Sequence, residues 1–406
     1  MVRFGSAMSI TAVLAVGSAC AHEGDVGLVG VSDVDAAREA ELVFAGLAER
    51  QSDAAAERSL DISGEFQLRY VAIFEAEVGD EVSPTLGFEI ERSRIKFDGM
   101  LAGEALTYEV EYEFSNTLAV GELLDAYITY KFGDGWSIRA GQFKYPFTRE
   151  FYRISPSNTL LVDRSPADST FRIGRSQGIR VGWSSDRFRW DAAAGDGRRT
   201  PNSPITDNDE ADMAITARAE FRLGDAGWRQ YNTLPGFRSD DSGWLIGVGG
   251  HWQRDGNVIA PEDYTSDPNM FGYTFDVTHE GPGYNAYLGL FGATSFDDGN
   301  SNTDLGFTAH AGYFATERTE LFARWSHIFP GDDRGPNDED FYQVSVGFAH
   351  YFIPESNALK FTAELAISPE AQGDASSLVK SISKNAIEPD DGGGQLLAIF
   401  QMQLLF

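Results

Sequence analysis

The chain holds one cysteine, Cys20, in 406 residues, so no disulfide can form within it. Positive charge is scarce: 32 Lys and Arg stand against 62 Asp and Glu, a formal charge of −30. That balance excludes nucleic acid as an expected partner, since affinity for a phosphate backbone comes from neutralising it with cations. Long apolar runs are missing too, and nothing approaches the ~18 consecutive apolar residues of a membrane-spanning helix. Strands remain open as membrane-crossing elements, because they need only about 9–11 residues and are half polar. The six histidines (His22, His251, His279, His310, His327, His350) lack H-E-x-x-H or paired metal spacing. No metal and no cofactor are expected.

Aromatic residues, at 13%, are abundant, which argues against disorder despite the acidity. The most telling stretch is Leu106–Phe114, L-T-Y-E-V-E-Y-E-F. Successive strand side chains point to opposite faces, so Leu106, Tyr108, Val110, Tyr112 and Phe114 share one side and Glu109, Glu111 and Glu113 the other. A wall between hydrocarbon and water needs such a strand. From Ile62 onward the alternation recurs sixteen times, ending in a strand over Gln395–Phe406 with a terminal aromatic. Connections alternate between tight ones (Gly133-Asp134-Gly135, Ser185-Asp186, Glu280-Gly281-Pro282, Ala315–Arg318, Ile353–Asn357) and long polar ones (75–85, 145–176, 195–211, 254–268, 293–303, 329–340, 368–394). Two connections depart from the scheme, 224–242 being long and 115–121 short for their rims. Short turns on one rim and long loops on the other point to an all-β fold, a transmembrane antiparallel barrel of about sixteen strands. A soluble β-sandwich would not sort its loops in this way. The strand phases near Leu86–Ile90 and Tyr284–Phe291 are ambiguous, and a one-residue slip exchanges inner and outer faces.

The N-terminus reads as an export signal over residues 1–21: Arg3, an apolar run from Met8 to Val16, and Ala19-Cys20-Ala21 as cleavage site. A lipidated Cys20 is the weaker reading, since Gly17 suits a lipobox poorly. Residues 22–60 form an Ala- and Glu-rich periplasmic segment, helical or flexible, and 61–406 the barrel. In that segment Ser32 and Asp35 resemble a capping pair, and Ala36, Ala40, Val43, Phe44 and Leu47 fall near helical spacing.

Chemistry concentrates between Arg139 and Arg199, where twelve basic residues meet six acids, an excess of six in a chain of −30. A long loop after the fifth strand folds inward in such a scheme and narrows the pore. Arginines there would attract anions and repel cations. The candidate constriction residues are Arg139, Lys144, Arg149, Arg153, Arg164, Arg172, Arg175 and Arg180. Opposite them, Glu109, Glu111 and Glu113 form an acidic lumen face that tempers any preference. The competing reading has these arginines paired with acids on neighbouring strands or touching lipopolysaccharide.

Within this stretch, Gly141-Gln142-Phe143-Lys144-Tyr145-Pro146-Phe147, followed by Glu150, Asp163-Arg164-Ser165 and Gly174-Arg175 before Gly178, resembles the phosphate-selective porin O and P family. Leu124-Asp125-Ala126-Tyr127 and Arg92-Ser93-Arg94 fit the same pattern. The resemblance covers 86–184 well and 61–406 loosely. It implies a sixteen-stranded, trimeric outer-membrane porin whose third loop lines the constriction. Only six lysines are present, and Lys144 alone lies in the basic stretch, so the lysine-rich phosphate site of the best-known members is not visible. The functional expectation is passive diffusion of small anionic or polar solutes such as phosphate, with mild anion preference and no enzyme activity, in an outer membrane whose lipid and lipopolysaccharide the barrel touches. The rivals are a barrel hydrolase and a structural barrel tethering the envelope through 22–60. Gly174-Arg175-Ser176-Gln177-Gly178 matches G-x-S-x-G, but a hydrolase elbow needs a helix next, and here a strand follows.

Overall fold

The computed structural model describes residues 58–75, 84–114, 121–204, 210–261, 264, 268–334, 340–368 and 394–406. The proposed signal peptide and nearly all of the 22–60 segment lie outside them. The described chain forms one closed antiparallel barrel of sixteen strands, each paired with its sequence neighbours and β1 with β16. The strands are β1 (Asp61–Glu75), β2 (Thr85–Ala102), β3 (Leu106–Glu113), β4 (Glu122–Gly133), β5 (Trp136–Lys144), β6 (Arg175–Ser184), β7 (Phe188–Gly195) and β8 (Met213–Gly224). They continue as β9 (Gly243–Arg254), β10 (Asn269–Gly281), β11 (Tyr284–Asp297), β12 (Asn300–Phe314), β13 (Thr319–Phe329), β14 (Phe341–Tyr351), β15 (Leu359–Ser368) and β16 (Gln395–Leu405). Each of the sixteen overlaps a strand expected from alternation, but β2, β11 and β12 run well beyond the expected 92–98, 284–291 and 305–314. Closure leaves no unpaired sheet edge, the condition for crossing hydrocarbon with strands. At the seam Gly64 and Phe406 exchange backbone hydrogen bonds of 2.7 and 3.1 Å, so the terminal aromatic is stitched onto β1.

The alternation is strict where it is easiest to follow. On β10, Phe271, Tyr273 and Phe275 are exposed, whereas Gly272, Thr274, Asp276 and Thr278 are buried inside. So broad an exposed apolar surface suits lipid and not water. β2 carries the expected ambiguity for a physical reason. A bulge opposite Gln67 and Leu68 makes the register skip Glu91. Leu86, Phe88 and Ile90 therefore face out at even numbers and Ile95 at an odd one, while Glu91 and Arg92 are both buried. On β11, Leu288 and Leu290 face out and Tyr287 and Phe291 face in.

One loop expectation fails. Residues 293–303 are not a long loop: β11 and β12 run on to a two-residue hairpin, Asp298-Gly299. Both residues have positive φ, 43° and 92°, as a tight hairpin turn requires. The Asp-Gly pair was the readable signal. On the opposite rim, the long connection 225–242 is folded, with Tyr231, Leu234 and Phe237 buried.

Candidate permeation site

The connection between β5 and β6, the third long loop, enters the lumen. It contains α1 (Arg149–Tyr152), a single 3-10 turn at Pro156–Asn158, and α2 (Pro166–Phe171). Helix α2 starts as its sequence dictates: the Ser165 hydroxyl accepts from the Asp168 amide at 3.1 Å, and Pro166 occupies the first turn. Entry into the loop depends on Gly141, whose φ is 129°; a Cβ there would sit 2.2 Å from the Ala126 carbonyl.

Three apolar clusters hold the loop, the smallest share being Val162 packed with Val71, Ile73, Ala366, Leu397 and Ile399. Phe147, Ala167, Phe171 and Ile173 pack with Met270, Phe291, Ile328 and Phe341, Phe171 stacking on Phe291 with centroids 6.1 Å apart. Further along, Ile154, Leu160 and Leu161 pack with Leu234, Phe237, Phe314 and Tyr351. Polar ties supplement them: the Ala167 amide donates to Ser326 at 3.0 Å and the Val162 amide to Glu364 at 3.1 Å. On the other side, Asp163 pairs with Arg69 at 3.3 Å and with Arg92. Burial alone would raise the Asp163 carboxyl, but the Arg92 and Arg69 guanidiniums hold it well below the usual range.

What stays open lies beside β1–β6. A cavity of about 430 Å³ is lined by Lys96, Glu109, Glu111, Asp125, Arg139 and Lys144, among others, and reaches Gly64 and Phe406 near the short-turn rim. A second, of about 250 Å³, is lined by six arginines (Arg92, Arg94, Arg164, Arg172, Arg175, Arg199) and two glutamates (Glu113, Glu122), with Phe151 and Leu124. Arg94 lines both. Arg175, in the second, reaches Asp125 at 2.7 Å and Glu111 at 3.2 Å in the first. The larger chamber is mixed in charge; the smaller is strongly basic.

The expected site residues separate into two groups. Arg164, Arg172 and Arg175 line the basic cavity, and Arg139 and Lys144 the mixed one. Arg139 stacks on the Tyr127 ring, 3.7 Å from its centroid, and donates to Thr129. Arg149, Arg153 and Arg180 are placed differently. Arg149 is fully buried and bonds Glu280 at 3.2 Å and the Tyr231 carbonyl at 2.9 Å. Arg153 pairs with Asp191 and Glu220, both at 2.7 Å. Arg180 donates to the Tyr152 hydroxyl at 3.0 Å and lies 3.5 Å from Asp191. These three secure the loop and wall, as the competing reading had it. Conversely, Arg92, Arg94 and Arg199 reach the basic cavity without having been singled out for it; Arg92-Ser93-Arg94 was the available signal.

The acidic row of β3 does face inward, and each member meets a cation. Glu109 lies 3.9 Å from Lys96, Glu111 pairs with Arg175, and Glu113 with Arg94 at 3.1 Å. By contrast, no carboxylate oxygen comes within 4 Å of the guanidinium of Arg164 or Arg172 among the described residues, although the Arg164 amide donates to Asp163 at 2.7 Å. Arg164 donates instead to the Glu150 and Ile154 carbonyls, at 2.8 and 2.7 Å. Burial and the neighbouring Arg172 press Arg164 down to about 9, and burial and Arg199 press Arg172 down to about 10. Both stay charged at neutral pH, and an arriving anion would relieve the strain. Ser176, the serine of the G-x-S-x-G run, lies in β6 and sits 2.7 Å from the Thr200 hydroxyl. A strand follows it, not a helix, so the hydrolase elbow is not formed. No group of three or more candidate metal ligands is present among the described residues.

A closed sixteen-stranded barrel with an apolar exterior and a polar lumen narrowed by an inserted loop defines a porin-type protein of the outer membrane. Residues 62–223, the first eight strands, match the family model of the phosphate-selective porin O and P family, which bears out the resemblance read from the strands and the third loop. No curated protein matches the chain in sequence. Among solved structures, the barrel is similar to the anion-selective porin from Comamonas acidovorans (TM-score 0.60, 12% identity, 86% of this chain and 100% of that one). It is also similar to the outer membrane channel DcaP of Acinetobacter baumannii (TM-score 0.56, 12% identity, 86% and 98%). A third likeness is to OmpT of Vibrio cholerae in a trimer form (TM-score 0.55, 14% identity, 86% and 99%). At these identities the structural likeness is one of fold.

Proposed function

We propose that this porin passes small solutes by diffusion with a mild preference for anions, set in the cavity between the third loop and β1–β6. One observation carries the reading: Arg164 and Arg172 border a basic cavity with no carboxylate oxygen within 4 Å of either guanidinium among the described residues. The paired glutamates of β3 support a mild preference, because they offset Lys96, Arg94 and Arg175 and leave fewer uncompensated cations to face an anion. The reading is further supported by the Comamonas neighbour, which is titled an anion-selective porin. Phosphate fits guanidinium geometry, as do carboxylates and sulfate.

The test is the reversal potential of the purified protein in a planar bilayer under a KCl gradient. The expected sign is that of chloride permeating more readily than potassium, and the double substitution R164Q/R172Q should reduce the preference. Clear cation preference in the wild type would overturn the reading. The trimer is part of the proposal, supported by the trimeric form named for the Vibrio neighbour; crosslinking in outer membranes should yield three-copy species. Export with cleavage after Ala21 also belongs to it, and the mature chain should begin at His22. The 22–60 segment is assigned to the periplasm, consistent with the entry of the described chain beside the short-turn rim, where the Ser59 amide donates to the Met100 carbonyl at 3.1 Å.

A further inference from the structure

Phe151 is buried without apolar company. It is 7% exposed, yet it belongs to none of the clusters of buried apolar side chains among the described residues. Phe147, four residues earlier and outside the helix, shows the ordinary alternative, packed into the cluster that holds the loop. Cations surround Phe151 instead. The guanidinium carbons of Arg172, Arg164 and Arg175 lie 4.9, 5.0 and 5.8 Å from its ring centroid, and the Lys144 ammonium lies 5.5 Å away. Those distances fall within the reach of cation–π attraction, which comes from the negative face of the ring quadrupole and strengthens when water is excluded.

Four cations gathered in a small space repel one another, and proteins usually relieve this with interleaved carboxylates. Arg175 has such relief from Asp125 and Glu111. Arg164 and Arg172 feel the buried Asp163 and Asp168 carboxylates, but among the described residues neither guanidinium has a carboxylate oxygen within 4 Å. A carboxylate would hold them in place but cancel their charge; a phenyl ring attracts them and carries no net charge to cancel it. The ring also lines the basic cavity, so what holds the arginines sits at the surface a solute would meet.

We propose that Phe151 is a specificity-determining residue of the pore, gathering Arg164 and Arg172 by cation–π attraction so that their charge remains available to a passing anion. This rests on the anion-preferring reading of the basic cavity. The ring is a positioning residue and donates no hydrogen bond to the solute.

The experiment replaces Phe151 with mono-, di- and trifluorinated phenylalanines, which keep the shape while draining the ring face of negative potential. Reversal potentials are read beside those of F151L, F151W and R172Q, and a conducting channel in the bilayer shows that each variant has inserted and folded. The expected result is a stepwise fall in the chloride-to-potassium permeability ratio along the fluorine series. F151L should lie about twofold or more below wild type, close to R172Q, and F151W at or above wild type. An unchanged ratio along the series, with R172Q still lowering it, would overturn the role of the ring. A wild-type channel with no anion preference would overturn the underlying reading and this role with it. If F151L fails to insert, the shape-conserving fluorinated series still decides the matter.

Discussion

Glu150 shows how one buried carboxyl sets the state of the loop that carries it. Its Oε2 accepts from the Ser165 hydroxyl at 2.8 Å and amide at 3.0 Å, and its Oε1 lies 3.5 Å from Nδ1 of His310. Burial, followed by the nearby Asp168 carboxyl, pushes it from an ordinary 4.5 up to about 7. The folded loop thus binds a proton that the free loop has already lost. Docking is most stable below about pH 4.5, weakens as pH rises through the interval to about 7, and is level above that. Single channels should accordingly show more frequent closures or substates at pH 8 than at pH 5. E150Q should remove the difference, and a channel noisier at pH 5 would contradict the sign. The same scale shows where sequence runs out. That Arg153 meets Glu220 and Arg149 meets Glu280 depends on residues 67 and 131 positions away, brought close only by closure of the barrel. Local charge counting finds the arginines but not which of them are already neutralised.

Among elements, the third loop is held chiefly by apolar side chains. Truncating Phe171, fully buried and stacked on Phe291, should therefore loosen it without opening the sheet. A Phe→Ala change at a packed site costs roughly 3–5 kcal/mol. F171A is expected to raise single-channel conductance and reduce ion selectivity while the barrel stays folded by heat-modifiable gel mobility. An unchanged conductance would show that Phe171 is not what holds the loop in place. The hairpin at Asp298-Gly299 offers a smaller test: G299A places a side chain at φ 92° and should cost about 1 kcal/mol in urea unfolding from lipid vesicles. The strands themselves were legible because each separates lipid from water, which imposes a period of two on 8 to 18 residues. The long β11–β12 hairpin was not, since beyond Gly292 small polar residues (Thr294, Ser295, Asn302, Thr303) erase the contrast between the faces. The bulge at Glu91 was hidden likewise, because a bulge is a property of two paired strands and not of one.

At the scale of the molecule, a chain of −30 carries its arginine-lined cavity as a local exception. Its influence should shrink as salt screens it, with a Debye length of about 10 Å at 0.1 M and 3 Å at 1 M. The permeability ratio is therefore expected to be larger at 0.1 M than at 1 M KCl, and salt-independent selectivity would point to size exclusion instead. The burial of Ile154, Leu160 and Leu161 against Phe314, Phe322 and Tyr351 has a consequence of another kind. The eyelet loop lies in the first half of the chain, but part of its seat is made by strands that enter the sheet some 150 residues later. Long-range contacts of this sort form late, because the intervening chain must be closed first. A barrel caught halfway through assembly has its arginines but no seat for the loop that presents them. Selectivity is then among the last properties such a barrel acquires, and a stalled intermediate in the membrane would be an indiscriminate leak.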